Sequence, residues 1–150
     1  MKILVLADSH GDISAVSKAF ETEKPDAVLH LGDYARDADV ITGVPVYKVE
    51  GNCDRPDGSP EIRKVKLGGA KIFMTHGHIF NVKWDTASYV NHCLYRNMDV
   101  ALFGHTHVPF AERYGNMLLL NPGTCGKGNK KTYAVLEIEN GAVNYEFKEL

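Results

Sequence analysis

Gly104-His105-Thr106-His107 sets two imidazoles at i and i+2. In extended backbone, residues two apart point the same way, so both rings can reach one pocket. Neutral imidazole is the commonest protein ligand for Zn, Mn, Fe, Co or Ni. Four other stretches carry donors of the same class: Asp8-Ser9-His10, Gly32-Asp33, Gly51-Asn52-Cys53-Asp54 and His76-Gly77-His78. Each alone reads equally well as a loop with solvated polar side chains. Together they supply two carboxylates, one amide oxygen and four imidazoles, from Asp8, His10, Asp33, Asn52, His76, His105 and His107. That set exceeds the needs of one tetrahedral zinc and suits two cations sharing a bridge. Asp33 is the natural bridge, because the two oxygens of a carboxylate can span ions about 3.5–4 Å apart.

Strands must deliver these groups to one place. Ile3–Ala7, Ala27–Leu31, Val46–Val49, Lys71–Thr75 and Asp99–Phe103 are short apolar runs, and each ends in one of the polar stretches. Apolar residues at helical spacing predict helices over about 12–22, 35–41 and 86–96, so the first third reads β-α-β-α-β. Residues 55–60 read as a loop. Ile62–Leu67 with Lys71–Thr75 around Gly68-Gly69, Phe110–Tyr114 with Met117–Leu120 around Gly115-Asn116, and Thr132–Ile138 with Val143–Phe147 around Asn140-Gly141 read as hairpins. The fold class expected is α/β, a two-layered β-core of mixed sheets with helices outside. In open α/β sheets ligands bind beyond the carboxyl ends of the strands, which is where the donors fall.

Composition narrows the function classes. At 150 residues, one domain over 1–150 is the natural prior, with 44% hydrophobic and 24% charged residues. A net charge of −2 gives no general pull toward nucleic acid or anionic membrane. Lys127, Lys130 and Lys131 read as a solvated loop. Cys53, Cys93 and Cys125 are an odd count without C-x-x-C spacing, so no disulfide framework is expected and a reducing compartment fits. No run is long enough for a signal core or membrane span. The chain is expected to be soluble and cytoplasmic, and a homo-oligomer stays open.

The ordered set D-x-H, G-D, G-N-x-D, H-G-H and G-H-x-H, followed by N-P-G-T at 121–124, resembles the calcineurin-like metallophosphoesterases. The fit is to their small, uncapped phosphodiesterase branch, which includes the vacuolar-sorting subunit of retromer as a relative. The resemblance implies a metallophosphoesterase-like sandwich and two divalent cations, manganese first, with Ni, Co, Fe or Zn as alternatives. Asp8, His10, Asp33 and His107 would hold one ion, and Asp33, Asn52, His76 and His105 the other. It further implies a phosphodiesterase hydrolysing small phosphate esters by attack of a metal-bridging hydroxide. Asn52 could serve twice, its oxygen on metal and its NH₂ on a phosphate oxygen. A non-catalytic interaction scaffold on the same fold and a nuclease are the rival readings; the intact donor set argues against the first and the acidic balance against the second.

One position departs from the family pattern. Many relatives carry histidine between the Asn and the acidic residue of G-N-x-D/E, where it is thought to protonate the leaving oxygen. Here that position is Cys53, followed by Asp54. A thiol with a pKa near ~8.5 is a poor acid for an alkoxide, so esters with acidic leaving groups should be preferred. His78 could hydrogen-bond a phosphate, orient a ligand or replace the missing acid, and is equally well read as a histidine satisfied by backbone; Asp54 is a further catalytic candidate. His30 and His92 read as structural. Gly123 and Thr124 could line the site through backbone N–H groups, and Phe80 and Trp84 read as packing rather than a substrate platform.

Overall fold

A computed structural model of the chain describes residues 1–56 and 58–150; the expected loop over 55–60 includes Asp57, which lies outside the described residues. The order is β1 (Lys2–Leu6), α1 (Ile13–Glu23), β2 (Ala27–His30), a 3₁₀ turn (Ala35–Val40), β3 (Val46–Lys48), β4 (Ile62–Leu67), β5 (Ala70–Thr75), a 3₁₀ turn (His78–Phe80), α2 (Ala87–Tyr95), β6 (Val100–Leu102), β7 (Pro109–Tyr114), β8 (Met117–Pro122), β9 (Thr132–Glu139) and β10 (Ala142–Glu149). Most boundaries fall within a residue or two of those expected. The helix expected over 35–41 is a 3₁₀ segment, entered through Tyr34 in the left-handed region at φ 68°. Strand β8 runs on to Pro122 because β7 pairs along its whole length, from Tyr114 opposite Met117 to Pro109 opposite Pro122.

The strands form two five-stranded mixed sheets, ordered β10-β9-β1-β2-β3 and β4-β5-β6-β8-β7. Three strands run parallel at the centre or edge of each: β1, β2 and β3 in the first, β5, β6 and β8 in the second. Parallel strands pool their carboxyl ends on one rim. Strand periodicity then divides the apolar residues between layers. Ile3, Val5, Ile72, Met74, Val100, Leu102, Leu118, Leu120 and Leu136 face the space between the sheets. Their neighbours Leu4, Leu6, Val28 and Val135 face outward onto Val16 and Ala19 of α1. Phe73, Ala101 and Leu119 face outward onto Tyr89, Val90 and Cys93 of α2. Runs apolar on both faces are thus explained by cover on both sides. Truncating a buried leucine such as Leu102 should cost about 2–5 kcal/mol.

Helix α1 is capped by Asp12, whose carboxylate accepts the Ala15 N–H at 3.0 Å. It ends at Lys24, left-handed, with its N–H on Phe20 O. Among the described residues no helix is long and apolar enough to cross a membrane.

Candidate metal centre

The rim formed by the carboxyl ends of β1, β2, β5 and β6 brings together six of the seven expected donors, Asp8, His10, Asp33, His76, His105 and His107. His107 Nε2 lies 3.0 Å from Asp8 Oδ1. His10 Nε2 is 3.8 Å from Asp8 Oδ1 and 3.5 Å from Asp33 Oδ2. His76 Nε2 is 3.4 Å from Asp33 Oδ1 and 3.1 Å from His105 Nδ1. One ligand atom from each of Asp8, His10, Asp33 and His107 falls within 4.8 Å of the others. Ligand bonds of about 2.0–2.2 Å would set donor spacings of about 3.0–3.4 Å around one ion, which the 3.0 Å from His107 to Asp8 and the 3.5 Å from His10 to Asp33 approach, while the 3.8 Å from His10 to Asp8 is longer. Asp8 Oδ1 and His10 Nε2 are buried without a hydrogen-bond partner among the described residues. Such atoms are costly unless something satisfies them, and a cation does so. The residues present therefore fit a divalent metal.

Protonation is set for ligation. His76 Nδ1 donates to Leu31 O at 2.8 Å, which turns Nε2 toward Asp33 and His105. Burial, with the neighbouring His76, pushes the His105 imidazole down to about 4. Burial and the Lys127 ammonium lower His10. Burial alone would raise Asp33, but His76 and the Cys53 N–H, 2.9 Å from Oδ1, outweigh it and hold the carboxyl below its usual value. Neutral rings and an ionised carboxylate are the forms that bind metal.

Backbone conformation at these positions is unusual. Asp8, His10, Asp33, His105 and His107 have φ of 54°, 47°, 56°, 68° and 61°. Left-handed non-glycine residues are uncommon and cost about 1 kcal/mol or more each. Buried hydrogen bonds offset that cost. Ser9 Oγ donates to Asp37 Oδ2 at 2.7 Å, and the same oxygen accepts the Gly11 N–H at 2.7 Å. His30 Nδ1 accepts the Gly32 N–H at 3.3 Å, so its Nε2–H donates to Ser9 Oγ at 3.1 Å. Asp8 Oδ2 accepts the His105 N–H at 3.1 Å, and Thr124 Oγ1 donates to Asp8 O at 2.8 Å. Gly51 packs so tightly beneath Asp33 that a Cβ there would overlap the carboxylate. Sequence reading marked His30 as structural but missed Ser9 and Asp37, whose role appears only when the Asp8 and Asp33 turns are side by side.

The other candidates separate. Asp54 lies beside the site, but its oxygens accept the Ala35 N–H at 2.8 Å and the Gly51 N–H at 2.7 Å; it ties turns together. His78 is half-buried, its ring 5.5 Å from that of His76 and 6.2 Å from that of His105. Its Nε2 meets Glu61 Oε1 at 3.4 Å, a partner the sequence did not suggest. Asn52 is exposed on the rim and donates to Cys53 Sγ at 3.3 Å. Cys53 is exposed, and partial desolvation of its thiol together with a hydrogen bond to Asp33 pushes its pKa up. Gly123 does not present its N–H to the site, since Asn121 Oδ1 accepts it at 2.9 Å. Phe80 packs on Phe73, Tyr89 and His92 as expected. Trp84 does not: its loop turns it into solvent, 91% exposed. Among the lysines expected in a solvated loop, Lys130 pairs with Glu149 at 2.6 Å and Lys131 with Asp12 at 2.5 Å.

Known proteins share this arrangement of chain. The chain is 29% identical to the probable metallophosphoesterase YsnB of Bacillus subtilis, over 98% of this chain and 90% of that protein. It is 28% identical to the phosphodiesterase YfcE of Escherichia coli, over 91% and 88%. A predicted phosphoesterase of known structure from Streptococcus pneumoniae superposes with a TM-score of 0.83 at 31% identity, covering 99% of this chain and 88% of that one. Zinc-bound Vps29 from Entamoeba histolytica shares the fold, with a TM-score of 0.78 at 22% identity over 99% of both chains. The model of the calcineurin-like phosphoesterase superfamily domain matches residues 1–141. The chain belongs to the calcineurin-like phosphoesterase superfamily.

Proposed function

We propose that the chain is a phosphodiesterase that hydrolyses small phosphate esters with two divalent cations, held by Asp8, His10, Asp33 and His107 on one side and by Asp33, Asn52, His76 and His105 on the other. The observation that supports it most directly is the division of labour at Asp33. Its Oδ2 faces His10 and its Oδ1 faces His76, so the two oxygens address two separate groups of imidazoles. Bound divalent cations supply Lewis acidity toward phosphate oxygens and lower the pKa of water. Mixed imidazole, carboxylate and amide donors accept Mn, Fe, Co, Ni or Zn, and manganese is our first choice.

The chain's own groups supply the rest. Asn52 sits on the open rim with its NH₂ on a thiol, a weak acceptor, and so can turn that donor to a phosphate oxygen. His78, whose Nε2 lies 3.4 Å from Glu61 Oε1, is the remaining imidazole beside the site, and the Cys53→His comparison below decides whether it serves the departing ester oxygen. Cys53 keeps its thiol proton and contributes little as an acid.

Metal analysis paired with hydrolysis of aryl and nucleotide mono- and diesters tests this reading, with Asp33→Asn as control. Two ions per chain and a loss of about 10³-fold or more in Asp33→Asn are expected, because each cation supplies several kcal/mol to the transition state. Protein incubated with excess manganese that retains none, or an Asp33→Asn variant of full activity, would overturn it. Cys53→His should narrow the gap between aryl and alkyl esters by up to about 10²-fold, the usual worth of a general acid; an unchanged ratio would place that function on His78.

A further inference from the structure

Two exposed cations, Arg36 and Lys127, border the His10 side of the metal centre, and neither meets a carboxylate among the described residues. Each is tied to the site by contacts of its own. The Arg36 guanidinium lies 5.6 Å from the centroid of the Tyr34 ring, an arrangement in which the ring face attracts the cation. That ring in turn lies 5.5 Å from the ring of His10. Lys127 follows a stretch of chain bonded along the first ligand turn. The Cys125 N–H donates to Ala7 O at 3.1 Å and the Gly126 N–H to Asp8 O at 3.2 Å. The Lys127 N–H donates to Thr124 Oγ1 at 3.1 Å, and that hydroxyl donates to Asp8 O. Gly126 sits so close to the turn that a Cβ there would lie 1.8 Å from Ser9 O. The Lys127 ammonium consequently acts on His10 and on the Cys53 thiol.

The carboxylates nearest these cations are already engaged. Asp12 holds Lys131, Asp37 accepts from Ser9 and Gly11, and Asp54 accepts from Ala35 and Gly51. In the same loop Lys130 is held by Glu149. The opposite side of the centre carries both signs, with Glu61 beside His78 and Lys83 acting on His105. Positive charge without a counter-ion is thus concentrated beside His10, in a chain whose net charge is −2. A guanidinium fork and a flexible ammonium together suit the free oxygens of a phosphate dianion.

Resting on the phosphodiesterase reading and extending it to substrate class, we propose that Arg36 and Lys127 bind a second phosphate of the substrate, a terminal monoester, while the ester to be cleaved lies at the metal centre. His10 borders both places, and both cations sit on long exposed side chains that can close on the bound group. Sugar or nucleoside esters bearing a further phosphate are then the preferred substrates.

Thymidine 3′-(4-nitrophenyl phosphate) and its 5′-phosphorylated counterpart share one reacting ester and one leaving group, so a comparison of the two isolates the second phosphate. Manganese-loaded wild type should prefer the 5′-phosphorylated ester by about tenfold in kcat/KM, mostly through KM, and high salt should shrink that preference. Arg36→Gln and Lys127→Gln should each lose about threefold of it and the double variant all of it. Lys130→Gln, whose ammonium is already paired, should keep it. Calorimetry gives a readout without turnover: thymidine 3′,5′-bisphosphate should bind wild type about tenfold tighter than thymidine 3′-phosphate, and the double variant no tighter. Hydrolysis of both esters without preference, a preference that survives in the double variant, or an equal loss in Lys130→Gln would overturn the second-phosphate site and leave the phosphodiesterase reading standing. Failure of wild type to hydrolyse either ester would overturn both.

Discussion

The two ends of the paired sheets solve the same turning problem in opposite ways. In the hairpin turns at the far end, left-handed backbone is given largely to glycine: Gly68 at φ 58°, Gly69 at 90°, Gly115 at 60° and Gly141 at 81°, with Asn140 in a hairpin and Lys24 and Asn97 before β2 and β6 as the side-chain-bearing exceptions. At the metal end, glycines Gly11, Gly32 and Gly77 take that conformation too, but so do Asp8, His10, Asp33, His105 and His107. Glycine is the residue that adopts it without strain, so a turn made of Asp and His is the less stable choice locally. The difference teaches where side chains are indispensable. A turn that only reverses the chain can dispense with a side chain; a turn that must aim a donor cannot, and needs buried partners to hold it. Those partners are Ser9, His30, Asp37 and Thr124, which have no counterpart at the far turns.

Four substitutions probe this contrast, from the largest effect to the smallest. Gly51→Ala should destabilise the protein by about 3 kcal/mol and abolish metal binding, since its methyl meets the Asp33 carboxylate; denaturant titration and metal analysis report both. His30→Gln should act through pH. Complete burial holds His30 down to about 4 from an ordinary 6.5, so the unfolded chain binds more protons between those values. Stability from this group is full above about 6.5 and falls as pH drops toward about 4, by on the order of 3 kcal/mol. In chelated protein, His30→Gln should remove that portion of the acid slope; an identical slope would show that His30 is not the neutral buried group described. Asp37→Asn should weaken metal binding by about 10–100-fold, the usual cost of losing a group that orients ligands, with about 1–3 kcal/mol lost from stability. Calorimetric metal titration tests it, and unaltered affinity would mean the ligand turns hold themselves. Gly115→Ala, with φ 60° and no atom within 4 Å of its new methyl, should cost only about 1 kcal/mol and leave metal affinity alone.

Much of this molecule is legible in the chain because the relevant physics is local. Ile3–Leu6 and Val100–Leu102 announce themselves as strands by being apolar throughout, and Gly68-Gly69 and Asn140-Gly141 announce hairpins by their tolerance of left-handed backbone. Asp8, His10, Asp33 and His107, which the fold brings together, were legible because their turns follow strands. Ser9 and Asp37 were not, because a serine and an aspartate in separate turns carry no signal until 2.7 Å separates them. Trp84 was misread for a related reason: an indole is usually buried, and nothing in its neighbours says that the loop after His78–Phe80 turns it outward.

By itself, then, the sequence determined the elements, the residues at their ends and the family to which they belong, since propensity, periodicity and motif are properties of neighbouring residues. Only the tertiary structure decided that β9 and β10 extend the sheet of β1 while β4 through β8 build the other. It alone set the two oxygens of Asp33 toward different imidazoles and brought Arg36 and Lys127, from separate turns, to the His10 side of the site. Those outcomes depend on which faces of distant segments meet, and packing between residues a hundred positions apart leaves no trace in the order of either.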